Sequence, residues 1–134
     1  MVRSIGTSYP AWLRQRPPTV PRQGSSAGLR ASPILHATHA RNPRIPDAEV
    51  TRAARWVIGL AAGAPCVLAG DFNVDTARST VIDRLDGFSR AGPGVDHILA
   101  RGMRAGPYDR WTPERRRLGQ LALSDHAPVE VVAR

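Results

Sequence analysis

Residues 33 to 70 limit the possible folds more than any other part of this chain. Pro33 to Thr38 is a short apolar run of strand length. Pro43 and Pro46 keep the following connection extended. Val50, Ala53, Ala54, Val57, Ile58 and Ala61 then recur at the spacing of one helix face, with Asp47 placed to cap its start and Gly63 its end. Pro65 to Ala69 is a second, buried-type strand that stops at Gly70. Further on, Asp75 or Thr76 can cap a second helix reaching about Leu85, with Val81, Ile82 and Leu85 inward. Gly92-Pro93-Gly94 is a turn, Val95 to Ala100 a strand, and Ala127 to Ala133 a last strand. Residues 101 to 122 read as loop, anchored by Trp111. The expectation is therefore an α/β fold, with strands near 33–38, 65–70, 95–100 and 127–133 and helices near 47–62 and 76–86. The chain is too short for a complete doubly wound sheet.

Residues 1–31 have a different character. They hold Arg3, Arg14, Arg16, Arg22 and Arg30, no acidic residue, four prolines, and the Gly24-Ser25-Ser26 cluster. Prolines oppose a helix, and too little apolar surface is present to offset chain entropy, so a disordered basic arm is expected ahead of a domain over 32–134. The whole chain carries a net charge of +8. Every basic residue is arginine, so attraction of a polyanion and the codon bias of a GC-rich genome explain the charge equally well. Cys66, alone and within an apolar run, is expected to be a buried inert thiol. No run reaches membrane-spanning length and no apolar signal segment opens the chain, which favours a cytoplasmic location.

Four short segments carry polar groups suited to chemistry. In Leu68-Ala69-Gly70-Asp71-Phe72-Asn73, polar residues emerge at a strand end, where ligands commonly bind. Asp71 can act as a base or metal ligand, and Asn73 can donate to a phosphate oxygen. The plain alternative is an Asp/Asn turn. In Leu123-Ser124-Asp125-His126, Asp125 can bind a hard cation and His126 can contact a phosphate or handle a proton. The alternative there is a strand-edge turn with an exposed histidine. Asp96, beside the apolar Val95 and Ile98, needs a partner, and His126 is the candidate. Its neighbour His97 reads as a surface or packed residue. Of His36 and His39, which an extended strand points to opposite faces, His39 at the strand end is the better site candidate.

Taken together, Thr-His at 38–39, Gly-Asp-Phe-Asn at 70–73, Val-Asp-His-Ile-Leu at 95–99 and Ser-Asp-His at 124–126 resemble the last four signature strands of the endonuclease/exonuclease/phosphatase superfamily. The resemblance covers residues 33–133 and does not reach any one substrate. It implies the C-terminal half of a four-layer, deoxyribonuclease I-like α/β sandwich. It also implies phosphoester hydrolysis dependent on Mg²⁺ or Mn²⁺. By the same resemblance, Asp71 would orient or deprotonate the attacking water or protonate the leaving group, and Asn73 would hold the phosphoryl oxygen. His126, oriented by Asp96, would bind the scissile phosphate, and His39 would line it. Asp125 would ligate the metal, with Asp71 and Asn73 close by. The family's first half supplies an Asn and a metal-binding Glu, whereas the first glutamate here is Glu49, after His39. The expectation is that this half is missing, that one sheet face lies uncovered, and that activity is weak or absent. The alternatives are a non-catalytic module that binds nucleic acid or another polyanion, and a non-functional fragment.

Overall fold

The computed structural model describes residues 28–29 and 31–134. The expected basic arm therefore lies almost wholly outside the described residues. Its last position, Ala31, already bridges to Cys66 at the sheet edge.

The element order begins with β1 (Ile34–His36), α1 (Arg44–Ala61) and β2 (Cys66–Asp71). β1 and β2 pair in parallel, joined through the helix. β3 (Phe88–Ala91) and β4 (Asp96–Arg101) form an antiparallel pair, and β4 also runs antiparallel to β2, giving a four-stranded sheet ordered β1-β2-β4-β3. β5 (Ala105–Arg110) pairs with β8 (Val129–Ala133) in a second ladder lying against β3 and β4. β6 (Arg117–Leu118) and β7 (Leu121–Ala122) make a short hairpin between them.

α1 lies on one face of the main sheet. Val50, Ala54, Val57 and Ala61, spaced at helical intervals, are buried against Cys66, Leu68 and Leu99, and Phe72, Val74 and Ile82 close the core. The helix begins three residues before the expected Asp47. Pro43 caps it and Pro46 sits in its first turn, where a missing N–H costs nothing because that N–H would have no partner in the helix. Asp47 is consequently inside the first turn and buried, and its carboxylate accepts bonds from Ser79 Oγ at 2.6 Å and from Thr80 N and Oγ1, both at 2.9 Å.

That clamp also explains why the expected helix over 76–86 does not form. The segment holds turns and one short 3₁₀ helix, Ile82–Arg84. Ser79 and Thr80 are drawn to Asp47, and Ser79 Oγ accepts the N–H groups of Val81 at 3.2 Å and Ile82 at 3.0 Å, competing with helical carbonyls. Two other expectations are corrected. β3 was not foreseen because it is short, polar and bounded by Gly87 and Gly92. The segment 101–122 is not a plain loop. It contains β5, whose Gly106, Pro107 and register shift mask the strand pattern, and the β6–β7 hairpin, which turns at Gly119 with φ +60. Trp111 does anchor this region: its Nε1 donates to Glu130 Oε1, and the Arg115 guanidinium stacks 4.1 Å over its ring.

Among the described residues, the face of the sheet away from α1 is thinly covered near β1. Ile34 is 86% exposed, and Val67, Ala69 and Ile98 are half-buried. No helix among the described residues is long and apolar enough to cross a membrane.

Candidate active site

The site grows from register. His36 pairs with Asp71 across β1 and β2, and Asp71 pairs with Asp96 across β2 and β4. Because side chains alternate along a strand, residues paired across neighbouring strands share a face. His36, Asp71 and Asp96 thus form one row at a sheet end, on the face opposite α1. Gly70 makes this row possible. Its φ is +137, and a Cβ there would lie 2.0 Å from Leu35 O, so no side chain could be accommodated where β1 closes on β2.

Beyond β2 the chain turns sharply. Asn73 adopts φ 51, a conformation asparagine tolerates better than most residues, and its N–H donates to Asp71 Oδ1 at 2.8 Å. Its side chain is a bracket: Nδ2 donates to Ala37 O at 2.7 Å, and Oδ1 lies 3.2 Å from His39 Nδ1. Glu49 of α1 fixes the same strand end from the other side, accepting from Thr38 N at 2.6 Å and Thr38 Oγ1 at 2.8 Å.

His126 arrives from the segment before β8. Asp125 and His126 lie in a bend ahead of the strand, with His126 N donating to Ser124 Oγ and Asp125 Oδ1, both at 3.1 Å. Its Nδ1 meets Asp96 Oδ1 at 2.9 Å, within the expected reach, and its Nε2 lies 3.9 Å from Asp71 Oδ2. The hydrogen bond to Asp96 raises the His126 pKa, and the Asp96 charge adds to this against a small desolvation. Asp96 N–H in turn is held by Pro93 O at 3.1 Å, in the turn leading into β4.

The structure thus brings together Asp71, Asn73, Asp96, His126 and His39. Ligand atoms of Asp71, Asp96 and His126 lie within 4.8 Å of one another, close enough to be considered for a metal ion. Asp125 is exposed and stands outside that group, its carboxylate engaged with the His126 N–H. The amide of Asn73 is spoken for at both ends, which leaves it little freedom as a ligand.

Two residues that the sequence reading did not place at this site lie against it, His36 and Glu49. Sequence reasoning let only one of His36 and His39 reach the site, assuming that both lie on a single strand. β1 ends at His36, so the alternation argument stops there, and His36 Nε2 comes within 3.7 Å of Asp71 Oδ2. Glu49 carried no local signal beyond its place one helical turn into α1. His97, by contrast, is packed: it is 1% exposed, its Nε2 donates to Val74 O at 3.0 Å, and burial is the main cause lowering its pKa.

Comparison with known proteins bears on the fold and the family. Among solved structures, a functionally unknown conserved protein from Enterococcus faecalis V583 superposes with a TM-score of 0.59 at 16% identity, covering 77% of this chain and 49% of that one. An endonuclease/exonuclease/phosphatase family protein from Bacteroides thetaiotaomicron gives 0.52 at 19% identity, covering 73% and 46%. A mannosyl-6-phosphatase from Bacteroides thetaiotaomicron VPI-5482 gives 0.53 at 19%, covering 75% and 49%. The chain thus spans about half the length of these structures, and at such identities the likeness shows the fold, a part of the deoxyribonuclease I-like sandwich. No curated protein matches. The endonuclease/exonuclease/phosphatase family model matches residues 6–126, beginning well ahead of the residue-33 start read from the motifs. With that match across most of its length, the chain belongs to the endonuclease/exonuclease/phosphatase family.

Proposed function

We propose that this chain carries the half-site of a divalent-metal-dependent phosphoester hydrolase, with low activity by itself. The observation that supports it is the relay in which Asp96 holds His126 Nδ1 at 2.9 Å while His126 Nε2 faces Asp71 Oδ2 at 3.9 Å. An imidazole fixed at one nitrogen by a carboxylate presents the other in a set direction, as binding a developing charge on phosphate requires. In this reading Asp71, with one oxygen tied to Asn73 N and the other open, orients or accepts a proton from the attacking water. His126, its pKa raised by Asp96, donates to a non-bridging phosphate oxygen. Asn73 holds His39 at the rim and so shapes the entrance.

The donors present suit a hard cation that keeps most of its waters. Asp71 offers the carboxylate oxygen not tied to Asn73, and Asp96 lies in the same cluster, in keeping with the one or two carboxylates that Mg²⁺ usually takes from protein. Asn73, doubly hydrogen-bonded, would support these from behind instead of ligating. Bound there, Mg²⁺ or Mn²⁺ would neutralise charge on the phosphate oxygens. With so few protein ligands among the described residues, its affinity is expected to be weak.

The test is hydrolysis of p-nitrophenyl phosphate, bis-p-nitrophenyl phosphate and plasmid DNA with Mg²⁺ or Mn²⁺, beside Asp71→Ala and His126→Ala. Slow turnover abolished by EDTA and by either substitution is expected. Turnover unaffected by both substitutions would overturn the reading. A second reading, a module that grips nucleic acid without cutting it, draws on the net charge of +8. Salt-steep DNA binding without cleavage would favour it.

A further inference from the structure

We propose that His36 is a second phosphate-binding imidazole, placed so that this site prefers a terminal phosphate monoester to a phosphodiester. The proposal rests on the phosphoester reading and deepens it by naming a substrate class. Its basis is the cross-strand row. His36 and Asp96 flank Asp71 on either side, so His36 Nε2 and His126 Nε2 approach the same carboxylate oxygen, Asp71 Oδ2, at 3.7 and 3.9 Å from opposite sides. A carboxylate alone repels a phosphate. Two imidazoles bracketing it supply N–H donors to oxygens arriving on both sides of the reacting position. The His36 side chain is 80% exposed, so the ring is open to a ligand, whereas His39 is drawn against Asn73.

The number of donors sets the preference. A terminal phosphate offers three non-bridging oxygens and, at neutral pH, close to two negative charges. A diester offers two such oxygens and one charge. His126 on one side and the rim set by Asn73 and His39 can serve both ligands. A further donor on the β1 side finds an oxygen to bind only on the monoester, where a diester would place an ester substituent.

The experiment uses the full chain in excess Mg²⁺ at about pH 7.5, where phosphate is mostly the dianion. Imidazole resonances are followed by NMR during titration with inorganic phosphate and, separately, with dimethyl phosphate. Phosphate is expected to shift His36 and His126 with one dissociation constant, and dimethyl phosphate to bind more weakly without moving His36. His36→Ala should weaken phosphate binding about threefold to tenfold, the worth of one hydrogen bond, and leave dimethyl phosphate unchanged. His36→Gln, which keeps a donor, should recover part of the loss. Because His36 lies exposed on an edge strand, both variants should fold, as the dispersion of the remaining resonances will report. Shifts at His126 and His39 without His36, or an equal loss for both anions in His36→Ala, would overturn the role of His36 while sparing the phosphoester reading. Phosphate that moves none of the three histidines would remove both.

Discussion

Asp96 and His97 are neighbours on β4, yet they belong to opposite kinds of surface. His97 turns toward α1, where it packs on Phe72 with ring centroids 5.3 Å apart and is almost wholly buried. Asp96 turns the other way, half-buried, into hydrogen-bond contact with His126. The same division runs across the sheet. Leu68 and Leu99 fill the helix side, while His36, Asp71 and Asp96 line the other at its end. One face of this sheet packs the core and the other carries the proposed site, and a one-residue slip in register would exchange them.

The largest expected effect lies on the helix face. Leu99→Ala should cost about 2–5 kcal/mol of unfolding free energy, because it empties a fully buried position. His36→Ala on the other face should stay within about 0.5 kcal/mol. Urea unfolding of both variants checks this, and similar losses would break the comparison. Next comes activity. His126→Ala should reduce any hydrolysis by about 10²-fold or more while the urea midpoint hardly moves. A parallel loss of stability would mean that the site face is also structural. Asp47→Ala follows, at about 1–3 kcal/mol, since it strands donors of Ser79 and Thr80. If that variant also raised helicity over 76–86 by circular dichroism, the clamp would be confirmed as what unwinds the segment.

The smallest effect is in pH, where the two histidines have opposite signs. Burial lowers the folded pKa of His97, so the unfolded chain binds that proton more readily. Stability should therefore fall as pH drops below the ordinary histidine value of about 6.5. The folded pKa of His126 is raised through Asp96, so its contribution is complete below about 6.5 and is lost as pH climbs through the raised value. With the ring 42% exposed, that contribution is small. NMR titration separates the two. Asp96→Asn should bring His126 back toward the ordinary value and leave His97 low, and a His126 that already titrates normally in the unaltered chain would remove the relay.

What could be read from the residues was local and periodic. The apolar face of α1, the buried strands β2 and β4 and the last strand β8 follow from spacing, and Gly-Asp-Phe-Asn and Ser-Asp-His carry the family resemblance in a few adjacent positions. What only the tertiary structure decided depends on residues far apart in sequence. Cross-strand register placed His36 beside Asp71 and Asp71 beside Asp96, and no single segment contains that information. The bend at 125–126 turned His126 toward two carboxylates from other strands, Asp96 and Asp71. Buried Asp47 overrode a plausible helix at 76–86, because hydrogen bonds from Ser79 and Thr80 to a desolvated carboxylate outweigh the weak helical preference of that run.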